Sequence, residues 1–413
     1  MTYKMKVKEK RHSRFPFSVI VLSLLVAFFC DIKCINRILV NGGYAGEGTM
    51  NILYPAIIIS ILVFSFIYNN WKMPKVSLYS ISLVAILLVY YIITMMFIGK
   101  PYTPLLLFSG LTLFSFLLPS LTTVDTRLML KAMMLFPIIG LPRIDLVFAT
   151  VTEWQDFTSM EVSYGFLIPV TASIVYLFVY FRDESFKQKL ITVILILVNA
   201  ILFLYLLRFA SRGVILSLAL LILFFFTTEL KGNYGIRWKK GWLGIVFIGF
   251  TILTFSFRSF FEYMNNWASN TFGVNFYMFE KMVDMADSGD ISNGRANLNV
   301  ITWKGFWESP LWGNGIDIYN SKTQMAYPHN FILNILYDGG LLLFLFILVP
   351  ITKGFVKKLK SCNKDEYALF MVLFFSSVPG ALFSQDMYQV SVLWITFGYA
   401  VSKTFVYKNL VRN

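Results

Sequence analysis

Charge is scarce in this chain. Asp, Glu, Lys and Arg make up 14% of its 413 residues, while 57% are hydrophobic and the mean hydropathy is +0.67. A soluble domain carries roughly a quarter charged residues, so a water-soluble enzyme of two or three domains is excluded, as are disorder, collagen and coiled coil. Cysteine is nearly absent. Cys30 and Cys34 stand four apart and Cys362 falls in a basic loop, which gives neither a metal-ligand spacing nor a disulfide framework. Histidine is rarer still, with only His12 and His329. There is no carboxylate pair, P-loop or serine elbow, and Gly42-Gly43 and Gly313-Asn314-Gly315 read as turns. What remains is an all-α, polytopic membrane protein.

Apolar stretches long enough to cross a core of ~30 Å fall at 17–38, 50–68, 76–98, 104–121, 128–148, 162–181, 190–207, 213–228, 241–258, 329–350, 367–384 and 388–407. They predict about twelve transmembrane helices, the fifth interrupted by Pro137 and Pro142. The basic stretch Lys4–Arg14 precedes the first of them without a small-residue cleavage site, which predicts an uncleaved signal anchor. Placing the N-terminus in the cytoplasm puts 25 of the 36 Lys and Arg on the inner side but only 7 of the 22 acids. The inner face then carries +18 and the outer −4, so the net +14 is a topology signal and requires no nucleic acid. Both termini are expected in the cytoplasm. One connection is long: residues 259–328 form a predicted external loop, expected to fold over the membrane part of a single transmembrane domain. Within it Ala296, Val300, Trp303 and Trp307 recur at helical spacing and stop before Pro310. They predict a short amphipathic helix whose aromatic row packs down or anchors at the membrane surface.

The polar residues that need an explanation gather on the outer side. His12 lies in the basic tail and reads as solvated. His329 follows Tyr327-Pro328 and opens a span with Asn330 beside it, a position at the outer surface. Arg208 and Arg212 flank a very short outer connection. Each suits lipid headgroups by snorkelling, and as a pair they suit a phosphate, which a guanidinium binds through two oxygens. Arg295 begins the predicted loop helix. Asp338 lies roughly two turns into its span, where it should face a polar cavity or pair with a cation. One histidine, several arginines and an acid suit a substrate with a phosphate or pyrophosphate leaving group, with His329 as general base on an attacking hydroxyl.

Three motifs resemble those of the O-antigen ligase/O-antigen polymerase superfamily. They are Ser211-Arg212-Gly213 at the start of a membrane helix, Gly294-Arg295 followed by an aromatic helix and Ser309-Pro310-Leu311-Trp312-Gly313-Asn314-Gly315, and His329-Asn330-x-x-Leu333-x-x-Leu336-x-Asp338-x-Gly340. The likeness covers about residues 190–350. Asp338 stands where glutamate is more usual, and Leu343 where a second glycine is expected. The resemblance implies a metal-independent, inverting glycosyltransferase of GT-C type, without cofactor, at the outer face of the bacterial cytoplasmic (inner) membrane. Its donor and acceptor would be undecaprenyl-pyrophosphate-linked oligosaccharides, with a flippase and a chain-length regulator as partners besides membrane lipids. Carried over, His329 would be the base, and Arg212 and Arg295 would hold the pyrophosphate. Arg208, Tyr327, Asn330 and Asp338 are further candidates to line the substrate site. Polymerase is the expected activity, with ligase as the alternative. A lipid-linked oligosaccharide flippase would call for midplane charges and internal repeats, and neither is visible.

Overall fold

A backbone without water around it must satisfy its own N–H and C=O groups, and helices do this segment by segment. The computed structural model describes residues 16–46, 48–143, 156–209, 212–230, 236–239, 257–273, 277–289, 294–325 and 327–407. Across these it is helical nearly throughout, the exception being a two-stranded ribbon, β1 (Thr228–Leu230) with β2 (Ile236–Trp238). Among the described residues four helices are long and apolar enough to cross a membrane: Leu78–Ile98, Phe186–Leu204, Phe331–Ser361 and Lys364–Phe383. A fifth candidate is the pair α1 (Phe17–Cys30) and α2 (Ile32–Asn41), bent by 71°. The first expected span is therefore broken, at a buried Asp31. Shorter apolar helices occupy Ile52–Tyr68, Leu105–Leu121, Ser163–Val179, Gly213–Thr227 and Ser391–Val401.

These elements account for ten of the twelve expected stretches. The expected span at 128–148 starts as a helix, Thr126–Leu135, and tightens into a 3₁₀ segment, Phe136–Arg143. Pro137 and Pro142 supply no N–H to an α ladder there. Its remainder, and nearly all of the expected span at 241–258, lie outside the described residues, as does His12.

In chain order, the helices that matter for the site are α3 (Leu78–Ile93, continued by a π turn, Thr94–Ile98), α4 (Leu105–Leu121), α5 (Thr126–Leu135), α6 (Asp156–Val179), α7 (Phe186–Phe209), α8 (Arg212–Thr227), α9 (Arg295–Glu308), α10 (Phe331–Ser361), α11 (Lys364–Phe383) and α12 (Ser391–Val401). The stretch expected to form the long loop carries helices at Phe257–Phe272, Tyr277–Ser288 and α9. The helix expected after Arg295 forms and ends before Pro310, but its orientation differs from a packed aromatic row. Ala296, Val300, Trp303 and Trp307 face outward, and the buried side is Thr302, Gly305 and Phe306, which packs on the first turns of α10. Spacing decides which residues share a face. Whether that face meets protein or another medium is decided elsewhere.

Around the C-terminal end of α6, a polar centre ties the bundle. Glu184 accepts from Lys131 Nζ (2.5 Å), Tyr176 Oη (2.7 Å) and Thr192 Oγ1 (2.6 Å), joining α5, α6 and α7. Burial alone raises its carboxyl, but the bonds from Lys131, Thr192 and Tyr176 outweigh that and hold it below the usual range. Beside it Asp183 is lowered mainly by its bond from Lys364. A depressed carboxyl contributes stability above its unfolded value and loses it as pH falls through the folded one. Thermal unfolding of the purified protein should therefore be flat above about pH 5 and weaken below the ordinary Glu value near 4.3. Glu184→Ala, which strands Lys131, should cost about 3 kcal/mol. A thermal shift series over pH checks both.

Candidate functional site

The C-terminal end of α11 is where the candidate residues meet. A helix leaves its last carbonyls without intrahelical partners, and here side chains supply them. Arg295, the first residue of α9, donates from Nη1 to the Phe383 carbonyl (2.5 Å) and from Nη2 to Ser384 Oγ (3.2 Å). The Ser384 carbonyl accepts from Tyr327 Oη (3.1 Å) and contacts His329 Nδ1 at 3.0 Å. The Tyr327 and His329 rings lie 4.2 Å apart between centroids. Residues 32 and 34 positions beyond Arg295 are thus brought to the same turn.

A carbonyl only accepts, so the neutral His329 ring carries its proton on Nδ1, and Nε2 keeps the lone pair that can take a proton. The residue also sits at φ +56°, a left-handed conformation costly for a side chain of this kind and characteristic of sites the surrounding structure over-determines. Burial pushes the His329 pKa down to about 4, with the Arg295 charge adding to the shift and the Ser384 bond opposing it. The sequence alone suggests an ordinary imidazole; the structure holds a ring that is neutral throughout the physiological range. Burial likewise raises the Tyr327 phenol, so it stays a donor.

Arg208 lies in the last turn of α7 and Arg212 opens α8; their side chains lie outside the described part of the structure. Their neighbour is informative, however. A Cβ on Gly213 would sit 2.0 Å from Tyr164 Oη and 3.5 Å from the Ser384 Cβ. Only glycine lets the start of α8 approach Tyr164 and the Ser384 turn so closely. The backbone carrying Arg212 therefore abuts the turn that holds Arg295 and His329.

Two expected residues have other duties. Asn330 is the N-cap of α10, its Oδ1 accepting from the Ile332 (3.0 Å) and Leu333 (3.2 Å) amides. Asp338 is fully buried and accepts from Tyr388 Oη (2.7 Å) and the Asp317 amide (3.3 Å). These partners are neutral, so the expected pairing with a cation is replaced by two neutral donors. About two turns of α10, roughly 10 Å, separate Asp338 from the start of the helix at Phe331, two residues after His329. Its place is beside a kink at Gly340, φ +63°, where the 309–318 segment lies against the helix. A Cβ on Gly340 would meet the Leu311 carbonyl at 2.4 Å, and one on Gly313 (φ +77°) would meet the Asp338 carbonyl at 2.3 Å.

Sequence reasoning missed Ser384 and Tyr164. Ser384-Gln385-Asp386 is a run of three polar residues closing an apolar helix, a signal that carries weight only once Arg295 and His329 are known to reach it. Tyr164 sits in an apolar stretch with no motif around it. Among the described residues no three His, Cys, Asp or Glu side chains are grouped so as to hold a metal ion.

A neutral imidazole with a free Nε2, next to a guanidinium and a phenol, can remove a proton from a hydroxyl while cationic and O–H groups receive an anion. A base works only unprotonated, so a reaction that used His329 in this way would be lost as pH falls through its pKa. Because that pKa is displaced downward, kcat/KM of the free enzyme should hold to below pH 5.5 and show its acid limb nearer 4 than 6.5. An acid limb at 6.5 in a pH–rate profile would contradict this placement of His329.

No curated protein and no solved structure matches the chain. The turn-directed residues Arg295 and His329, with Arg208, Arg212 and Asp338, all fall within residues 197–348, which match the family model for O-antigen ligase (Wzy_C), a match that supports the O-antigen ligase/polymerase superfamily over this part of the chain.

Proposed function

We propose that the protein is a polysaccharide polymerase of O-antigen or capsule type. It transfers a glycan from undecaprenyl pyrophosphate to the acceptor sugar hydroxyl of another lipid-linked repeat unit, at the outer face of the bacterial cytoplasmic membrane. His329 Nε2 takes the hydroxyl proton as the oxygen attacks the anomeric carbon. The bond from that carbon to the pyrophosphate oxygen breaks on the opposite face, which inverts the configuration, and the electron pair leaves with the pyrophosphate. Arg295 and Arg212 hold that group and neutralise the charge it gains, a role guanidinium fills without a metal. Tyr327 and Arg208 line the same pocket. The observation that carries this reading is the convergence of Arg295 and His329 on Phe383–Ser384, with the Arg212 end of α8 against the same turn.

The lowered pKa of His329 fits this chemistry. The ring is neutral when the acceptor arrives, and the incoming pyrophosphate raises its affinity for a proton during the reaction. A second reading, ligation of the glycan to lipid A-core or another acceptor, is favoured by the description of the matched family as O-antigen ligase.

Complementation of a null strain tests the site and separates the readings. His329→Ala and Arg295→Ala should each lower product by about 10²–10⁴-fold. Accumulated single-repeat glycan on a gel marks a polymerase, and unattached long chains mark a ligase. Normal glycan from either variant removes the mechanism. A separate expectation concerns metals: a chelator should leave the activity of the purified protein unchanged, and a clear requirement for a divalent ion would contradict leaving-group stabilisation by arginine.

A further inference from the structure

The segment joining α9 to the short helix Tyr319–Thr323 is irregular, apolar at its tip and exposed. Leu311 is 54% and Trp312 71% accessible. Irregular backbone normally stays in water, where its polar groups find partners. Here the protein supplies them. The amides of five consecutive residues all have acceptors: Gly313 on the Ser309 carbonyl, Asn314 on Tyr337, Gly315 on Asp338, Ile316 on Thr94 Oγ1 and Asp317 on the Asp338 carboxylate. The Pro310 and Leu311 carbonyls take the Leu341 and Leu342 amides freed by the kink in α10, and the Trp312 carbonyl takes Tyr90 Oη. Internal bonding this extensive, although it does not reach the Leu311 and Trp312 amides at the tip, is what non-helical backbone needs at membrane depth.

The depth follows from α3. Leu78–Ile98 is 21 residues of mean hydropathy 2.6, about 30 Å long, which is one full hydrocarbon core. Tyr90, the partner of Trp312, lies eight residues before Ile98, roughly 12 Å of helix below the end nearest His329. Beneath Trp312 an apolar cleft of about 770 Å³ opens between α3 and α10, lined by Ile86, Val89, Tyr90, Leu342 and Phe346. Ile86, Val89 and Leu342 are themselves exposed on the same side, so the tip of the segment is continuous with the lipid-facing surface of two spans.

We propose that Ser309–Asp317 is a re-entrant wedge seated in the leaflet on the His329 side, with Leu311 and Trp312 against lipid acyl chains and one such chain lying in the cleft under Trp312. The occupant is bilayer lipid, because the surface is apolar, the backbone behind its tip is bonded internally, and it joins the faces of α3 and α10 without a polar rim. This inference rests on the chain being a membrane protein and is independent of the transferase reading.

The test uses the full chain in phosphatidylcholine vesicles. The emission difference between wild type and Trp312→Phe isolates Trp312. Lipids brominated along their acyl chains should remove at least about half of it, and aqueous iodide should leave it unchanged. In parallel, Leu311→Cys and Asn297→Cys are reacted with a membrane-impermeant maleimide loaded on both sides. The native Cys30, Cys34 and Cys362 are buried and give a low background. A thiol in apolar surroundings holds little thiolate, so Leu311→Cys should react at least about tenfold more slowly than Asn297→Cys. Quenching of Trp312 by iodide but not by brominated chains overturns the proposal. Equal labelling rates at the two cysteines do so as well.

Discussion

One carbonyl organises the site. The oxygen of Ser384, at the end of α11, meets His329 and Tyr327, and the neighbouring Phe383 carbonyl and Ser384 hydroxyl take Arg295. Helix C-termini carry partial negative charge and unpaired acceptors, so cations and donors collect there at little cost. The chemical consequence goes beyond packing. A carbonyl partner fixes the tautomer of His329, which leaves the reactive nitrogen pointing away from the helix end. A water or a carboxylate in the same place would fix the tautomer less strictly or raise the pKa.

A second constraint holds this turn in register with the rest. Two residues beyond Ser384, Asp386 accepts from the Tyr388 amide, and Tyr388 in turn donates to Asp338. Asp338 caps the 309–318 segment through the Asp317 amide, and that segment continues backward into α9 and Arg295. The chain thus closes a loop of contacts from Ser384 through Asp338 to α9 and back to Ser384. Asp338 acts as a fastener within it: its Oδ2 accepts both hydrogen bonds and holds a bent helix against a segment that has no ladder of its own.

Much of this was legible in the sequence. The residues proposed to carry the chemistry were marked by scarcity: a histidine expected at a membrane edge, and arginines expected where the charge rule disfavours them. Helix positions followed from apolar runs, and the stop of α9 before Pro310 followed from proline chemistry. What could not be read was set by contacts distant in sequence. Nothing local to Ser384 distinguishes it from any serine ending an apolar helix. The low pKa of His329 comes from burial in the folded chain, with the Arg295 charge adding to it, and no spacing encodes that. The bend at Asp31 had a local sign, since Asp31, Lys33 and Arg37 interrupt the apolar run after Cys30, but polar residues at the end of a span do not tell a bend from a straight exit into water. For Asp338, depth along a span pointed to a polar cavity or a cation; the cation is not what it meets, since the kink at Gly340 brings a loop amide and a tyrosine to it.

The outward row on α9 shows the same limit and sharpens what membrane proteins do to sequence patterns. In water, Val300, Trp303 and Trp307 on one face would have to be buried, and the face opposite would be polar. Here Thr302, Gly305 and Phe306 form the packed side because small and polar residues allow close approach to α10, where Asn314 Nδ2 reaches the Gly305 carbonyl at 2.8 Å. Trp303 and Trp307 are left outside, edge to face at 5.7 Å, with Trp303 stacked at 5.3 Å on the buried Phe306. An apolar face in such a chain therefore marks either a core or a lipid contact, and the size of the residues facing it is the better guide: small side chains mark the seam between helices, and large aromatics mark the surface that the bilayer edge can solvate.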